Sequence, residues 1–173
     1  MTSATDRPGL KAVLFDLDGT LIDSLPDIHA ALNETLASLG EPSFTPEAVA
    51  AMVGAGVEAL ISRAFAALDK PLDPASARKI AARYLAIYEP RATELTTLNA
   101  GASDSVRALA EQGLRLGVVT NKPVAATREI LAHFGLADTM SVVIGGDAGV
   151  PRKPAPDLLI LACRELGIEP GEA

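Results

Sequence analysis

Apolar residues along this chain follow two rhythms, and the rhythm changes twice. Four consecutive apolar positions, Ala12-Val13-Leu14-Phe15, begin the patterned part and predict a strand covered on both faces. From residue 24 the spacing becomes helical. In "SLPDIHAALNETLASLG", Ile28, Ala31, Leu32, Leu36 and Leu39 recur at three- and four-residue intervals. Ser24 stands as the N-cap, Pro26 and Asp27 sit in the first turn, and Gly40 closes the helix. "TPEAVAAMV" restarts behind Thr45 and Pro46, Gly54 and Gly56 interrupt, "VEALISRAFAAL" resumes, and another helix opens at Asp73-Pro74 and runs toward Pro90. Residues 24–95 therefore predict helices only.

After that block the rhythm alternates. "SDSVRALAEQG" reads as a helix ended by Gly113, "LRLGVVT" as a buried strand, and "KPVAATREILAHFG" as a helix ended by Gly135. "SVVIGG" is a second such strand and "APDLLILACRELG" a helix ended by Gly167. Strands of apolar, β-branched residues alternating with helices predict an α/β fold: a parallel sheet with helices on both faces, wound right-handed. The helical block interrupts this sheet after its first strand. The expected division is a discontinuous core, residues 1–23 and 96–173, with an all-helical cap inserted at 24–95. Residues 1–9 carry no pattern and are expected to be a loose start.

Composition narrows the function. The chain has 173 residues, 49% hydrophobic and only 3% aromatic, so one ordinary core built from Leu, Val, Ile and Ala is expected. A net charge of −7 repels phosphate backbones and anionic membranes at long range, which argues against nucleic acid and membrane partners. A phosphate site here must be basic locally. The single cysteine, Cys163 in "LLILAC", permits no internal disulfide and no multi-cysteine metal cluster, and reads as a buried thiol in a reducing cytoplasm. No charged-then-apolar leader opens the sequence, and no apolar run approaches the ~20 residues that span a bilayer.

In open parallel sheets ligands sit beyond the carboxyl ends of the strands. After the first strand come Asp16, Asp18, Gly19 and Thr20; after the second, Thr120, Asn121 and Lys122; after the third, Gly145, Gly146, Asp147 and then Arg152-Lys153-Pro-Ala-Pro. Two carboxylates about 7 Å apart repel by about 2 kcal/mol at an effective dielectric near 20, and a phosphate dianion adds to this. A hard divalent cation and a lysine reverse the sign, and Mg²⁺ takes one or two carboxylates with waters and substrate oxygens. One aspartate can then attack phosphorus while the other moves protons between leaving group, water and itself. Thr120 and Asn121 suit hydrogen bonding to the transferring oxygens, Lys153 suits neutralising their charge, and Gly19 suits a sharp backbone turn.

At these residues the chain resembles the haloacid dehalogenase-like (HAD) phosphatase superfamily. "DLDGTL" at 16–21 is similar to its first motif, "VVTNK" at 118–122 to its second and "RKPAP" at 152–156 to its third, in that order, and the likeness spans nearly all of residues 10–173. The resemblance implies a Rossmann-like core and a Mg²⁺-dependent phosphatase of a small phosphorylated metabolite. Asp16 would be the nucleophile and a metal ligand. Asp18 would be the acid/base and bind the metal through its backbone carbonyl. Thr120, Asn121 and Lys153 would hold the phosphoryl group.

The helical block resembles the cap of the phosphoglycolate phosphatase branch, including "VGAGVEALISRA" at 53–64, which implies 2-phosphoglycolate as substrate and cap contacts from Gly54 and Gly56. Gly-x-Gly equally suits a helix–helix turn.

The family's fourth motif, a strand followed by Gly-Asp and a further acid, would begin just after "LGIEPGEA". Its absence leads to the expectation of a truncated chain with weak Mg²⁺ binding and little turnover, and of a first strand with one unpaired edge.

Other polar residues carry alternatives. Thr120 and Asn121 also suit capping the helix that starts at Pro123, and Lys122 suits either a substrate-facing cation or a solvated charge. Asp23 and Asp27 are explained by helix starts, His29 and His133 by surface or helix-packing roles, and Asp147 is a candidate for a metal's outer shell. Within the same scaffold a phosphosugar phosphatase, a pyrophosphatase and a phosphomutase remain open, as does a non-catalytic phosphate-binding module. Monomer and homodimer are equally compatible with the sequence.

Overall fold

The computed structural model describes residues 9–173, so the expected loose start falls, apart from Gly9, outside the described residues. The chain divides into two compact units, Met1–Leu21 with Leu98–Ala173, and Ile22–Thr97.

The first unit is built on a three-stranded parallel sheet. Strand β1 (Ala12–Phe15) pairs with β4 (Arg115–Val119), and β4 with β5 (Met140–Ile144), giving the order β1-β4-β5. Ala12 faces Arg115 and Phe15 faces Val118, while a register shift between Leu116 and Gly117 adjusts the β4–β5 pairing. Gly117 has a steric reason to be glycine. A Cβ there would lie 2.4 Å from Val142 Cγ1 and 2.9 Å from Leu14 Cδ2, so the neighbouring strands' side chains close over the gap it leaves.

Three helices cover this sheet. Helix α7 (Asp157–Leu166) lays Leu158, Ala162, Cys163 and Leu166 against Ala12, Val119, Val142 and Ile144. Each fully buried leucine of this kind contributes about 2 kcal/mol of transfer free energy. Helices α5 (Ala102–Glu111) and α6 (Val124–His133) are the crossovers β1→β4 and β4→β5, which right-handed winding places on the opposite face. Cys163 is buried, as its apolar run predicts, and burial pushes its thiol pKa up.

β1 differs from the expectation of a strand covered on both faces. Only Ala12 is fully buried and the next three residues are half-buried, whereas four of the five β4 residues are buried. Among the described residues β1 pairs with β4 alone, and the central position in the sheet belongs to β4.

The second unit holds α1 (Leu25–Ala37), α2 (Pro46–Ala50), α3 (Val57–Ala67) and α4 (Pro74–Tyr88), with α4 packed on α1 and α3, and α2 on α1. The apolar spacing explains their inward faces: Ile28, Ala31, Leu32 and Leu36 of α1 and Leu60, Ile61, Ala64 and Phe65 of α3 are all buried. Thr45 and Asp73 cap α2 and α4 with side-chain oxygens. Ser24 stands at the N-cap of α1 without such a bond, and Asp23 instead accepts from the Leu25 amide at 3.1 Å. His29 Nε2 lies 2.9 Å from the Phe44 carbonyl, a packing role between α1 and the following loop.

Asp27 does more than start a helix. It is buried, and its carboxylate accepts from the Leu95 amide, the Thr96 amide at 2.7 Å and the Thr96 hydroxyl at 2.7 Å. One acidic side chain thus ties α1 to the segment that follows α4. Two short strands not foreseen in the sequence, β2 (Ile22–Asp23) and β3 (Thr97–Leu98), form a ribbon where the chain enters and leaves this unit. Two residues each are too few to show an alternating pattern. No helix among the described residues is long and apolar enough to cross a membrane.

Candidate active site

The polar groups gather where the strands of the first unit end. β1 stops at Phe15 and the chain turns at once: Thr20 and Leu21 donate from their amides to the Leu17 carbonyl at 3.1 and 3.0 Å. Leu17, fully buried, anchors this turn between the two aspartates. Gly19 has φ 76°, a left-handed conformation that L side chains rarely adopt, which is why glycine follows the acids.

Each aspartate meets its own lysine. Asp16 Oδ1 accepts from the Leu17 amide at 2.8 Å and lies 2.8 Å from Lys153 Nζ. Asp18 Oδ1 lies 2.8 Å from Lys122 Nζ. The two pairs differ in access to water: the Asp16 side chain is 44% exposed, that of Lys122 only 5%. Two positive and two negative charges therefore balance at the strand ends, inside a chain of net charge −7. The strand ends are thus locally neutral rather than basic, which differs from the expectation for a phosphate site, although both lysines stand there.

The β4 end holds the lysines in place. Thr120 is buried, donates its amide to the Ile144 carbonyl at 3.0 Å, and accepts at Oγ1 from the Lys122 amide at 3.2 Å. The Asn121 side chain forms a reciprocal pair with the peptide of Lys153, Oδ1 accepting from Lys153 N–H and Nδ2 donating to Lys153 C=O, both at 3.0 Å. Lys153 Nζ also donates to the Val119 carbonyl at 2.8 Å, so its ammonium bridges the end of β4 and Asp16. Glycines permit this closeness. A Cβ on Gly146 would lie 2.3 Å from the Asn121 carbonyl oxygen, and the Gly146 amide donates to the Lys122 carbonyl at 2.9 Å.

Asp16, Lys153 and Asn121 thus form one bonded group and Asp18, Lys122 and Thr120 a second, the two joined along the chain through residues 120–122. Helix capping falls to neither Thr120 nor Asn121: Asp147 Oδ1 accepts from the Val124 amide at 2.9 Å, which gives Asp147 a structural role at the start of α6. Gly54 and Gly56, at φ 109° and 89°, lie in the turn between α2 and α3, with Gly56 as the N-cap of α3.

Sequence reasoning left Lys122 undecided and did not foresee the clasp of Asn121 on Lys153. A signal for the first was present: a lysine just before the N-terminus of α6 faces the positive end of the helix dipole, and needs an anion to hold it. Nothing local announces the second, because the partners are 32 positions apart.

Among the described residues no three His, Cys, Asp or Glu side chains cluster at metal-binding spacing. Mg²⁺ does not need three. Its preference for one or two carboxylates completed by water and substrate oxygens fits two strand-end aspartates, one of them open to solvent. A cavity of about 350 Å³ lined by Val106, Arg107, Glu111, Leu136 and Thr139, among others, contains none of these groups.

A parallel sheet with charged residues gathered at its strand ends defines an α/β enzyme-type core. The chain belongs to the haloacid dehalogenase-like hydrolases, whose family model matches residues 10–173. It is 43% identical over 147 residues to a phosphoglycolate phosphatase of Cereibacter sphaeroides, a match covering 85% of this chain and 67% of that protein. A solved structure of a predicted phosphoglycolate phosphatase from Haemophilus somnus 129PT superposes with a TM-score of 0.86 at 29% identity, covering 95% of this chain and 75% of the other. A mutant of CbbY from Rhodobacter sphaeroides, solved in complex with xylulose-(1,5)bisphosphate, gives a TM-score of 0.73 at 28% identity over 95% of this chain and 76% of its own.

Proposed function

We propose that the protein is a Mg²⁺-dependent phosphatase of small phosphomonoesters, acting through an aspartyl phosphate on Asp16, with 2-phosphoglycolate as its substrate. The observation that carries the reading is the Asp16–Lys153 pair at 2.8 Å, a solvent-open carboxylate beside an ammonium group at the end of a parallel strand. The likeness to phosphoglycolate phosphatases supports the substrate.

In this mechanism an oxygen of Asp16 attacks phosphorus and the bond from phosphorus to the ester oxygen breaks. The Asp18 carboxyl gives its proton to the departing alkoxide, then as a carboxylate takes one from the incoming water. Water oxygen bonds to phosphorus, the Asp16 oxygen–phosphorus bond breaks, and inorganic phosphate leaves. Lys153 offsets the charge on the phosphoryl oxygens, and the Thr120 hydroxyl donates to one of them. Asn121 holds Lys153 by its peptide and is assigned, with Thr120, to the phosphoryl group. The Asp16 carboxylate and the Asp18 backbone carbonyl would hold Mg²⁺, which when bound neutralises charge on the phosphate oxygens as a Lewis acid. We assign the reading of the organic part of the substrate to the helical unit, through Gly54 and Gly56.

A phosphosugar is the second substrate class, favoured by the xylulose-(1,5)bisphosphate held in the similar CbbY structure. The reading includes the cytoplasm, where the single buried thiol stays reduced.

The test is phosphate release from 2-phosphoglycolate and a phosphosugar panel with Mg²⁺, for the wild type and Asp16→Asn. Loss of turnover to background in the variant, with 2-phosphoglycolate hydrolysed fastest by the wild type, is expected. Undiminished hydrolysis by Asp16→Asn overturns the mechanism.

A further inference from the structure

We infer that Lys122 is a positioning residue that clamps the Asp18 carboxyl group in the orientation from which it transfers protons, an inference that rests on the phosphatase reading above. Among the described ion pairs, Lys122–Asp18 is the most buried. The lysine is 5% exposed and the aspartate 19%, whereas Lys70–Glu41, Arg91–Glu34 and Arg107–Asp104 each have a cation at least 40% exposed. Exposed pairs of that kind hold nothing firmly, because water and salt compete with them. An ammonium group withdrawn from water is held where its counter-charge is, since leaving it unpaired is costly.

The lysine is itself fixed on both sides of its backbone. Its amide donates to Thr120 Oγ1 at 3.2 Å and its carbonyl accepts from the Gly146 amide at 2.9 Å. Gly146 packs so tightly on Asn121 that a methyl group would overlap its carbonyl oxygen. From this rigid point Nζ reaches Asp18 Oδ1 at 2.8 Å, and one oxygen held that firmly sets the plane of the whole carboxyl group. A substrate-binding cation would present its charge to solvent, and Lys122 does not. Lys153, 23% exposed, is the cation left for the phosphoryl group.

Proton transfer to the leaving group matters for an alkyl phosphate and little for p-nitrophenyl phosphate, whose phenolate leaves without it. The test compares the wild type with Lys122→Met in the full natural polypeptide, with Mg²⁺, on 2-phosphoglycolate, ethyl phosphate and p-nitrophenyl phosphate. Because the proton taken from water in the second step is common to all three esters, the comparison is made on kcat/KM, which reports the step that releases the alcohol. The clamp predicts a loss of about 10²–10³-fold on both alkyl esters and under about 10-fold on p-nitrophenyl phosphate. Equal losses on all three esters, or a KM increase confined to 2-phosphoglycolate, overturn it, the latter marking Lys122 as a substrate-carboxylate ligand.

A wild type inactive on all three esters defeats the phosphatase reading, and the clamp's catalytic role with it. Where Lys122→Met fails to fold, the ¹⁵N-labelled wild type decides. The Lys122 ammonium signal is expected to exchange slowly with water and to lose that protection in Asp18→Asn. Exchange as fast as that of the exposed lysines overturns the clamp.

Discussion

Replacing Gly146 with alanine tests whether the ends of β4 and β5 approach as closely as the site requires. The added Cβ would lie 2.3 Å from the Asn121 carbonyl oxygen, 2.8 Å from its carbonyl carbon and 3.1 Å from its Cα. All three are backbone atoms, so no rotamer change relieves the overlap and the two segments must separate. Gly146 is not among the residues with positive φ, so the effect is steric and carries no conformational penalty of alanine's own. Overpacking of this kind costs about 1–3 kcal/mol. Separation also stretches the Gly146 N–H···O=C Lys122 bond, now 2.9 Å, worth about 1 kcal/mol net. The sum is about 2–4 kcal/mol, a fall in Tm of roughly 5–15 °C for a chain of this size.

Urea and thermal denaturation followed by circular dichroism measure it, with Gly171→Ala as control because a Cβ there meets nothing within 4 Å. Turnover should fall as well, since the same separation moves Lys122 away from Asp18. A Gly146→Ala protein that unfolds within about 0.5 kcal/mol of the wild type would refute the close approach on which the site geometry depends.

Two further substitutions probe the helical unit. Asp27→Ala strands the Leu95 and Thr96 amides and the Thr96 hydroxyl in a buried place and should cost about 3 kcal/mol in urea denaturation, with Asp27→Asn costing less because one acceptor oxygen remains. A cost below that of an ordinary surface substitution would show that the carboxylate is not the tie. Asp73 caps α4, and hydrogen bonds from Ser76 and Ala75 hold its carboxyl below its usual pKa of 3.8. Its folded value is depressed, so its stabilisation is present above the unfolded pKa and fades as pH falls through the folded one. The denaturation midpoint of Asp73→Ala should therefore lie below the wild type's at neutral pH and approach it only as pH falls through the depressed folded value, below 3.8, where Asp73 loses its charge; a deficit independent of pH would remove the charge from the explanation.

What was legible along the chain is what short-range burial demands. Apolar runs at β4 and β5 and the helical spacing of α1, α3 and α7 are written in neighbouring residues, because a strand or helix must hide its own apolar face whatever it packs against. Asp16 and Asp18 were legible for the same reason, as charges at the end of an apolar run. The modest burial of β1 was not, since sheet order decides which strand is central and a run of apolar residues is silent about its neighbours.

The pairing of charges belonged to tertiary structure alone. Lys122 stands 104 positions from Asp18, and the Asn121 side chain closes on a peptide 32 positions away. Both meetings follow from β1 and β5 lying on either side of β4 with their ends level. A sequence names the polar groups each strand carries to its end. Which of them come within 3 Å is set by register and by the glycines that let the strand ends close, and those depend on the whole fold at once.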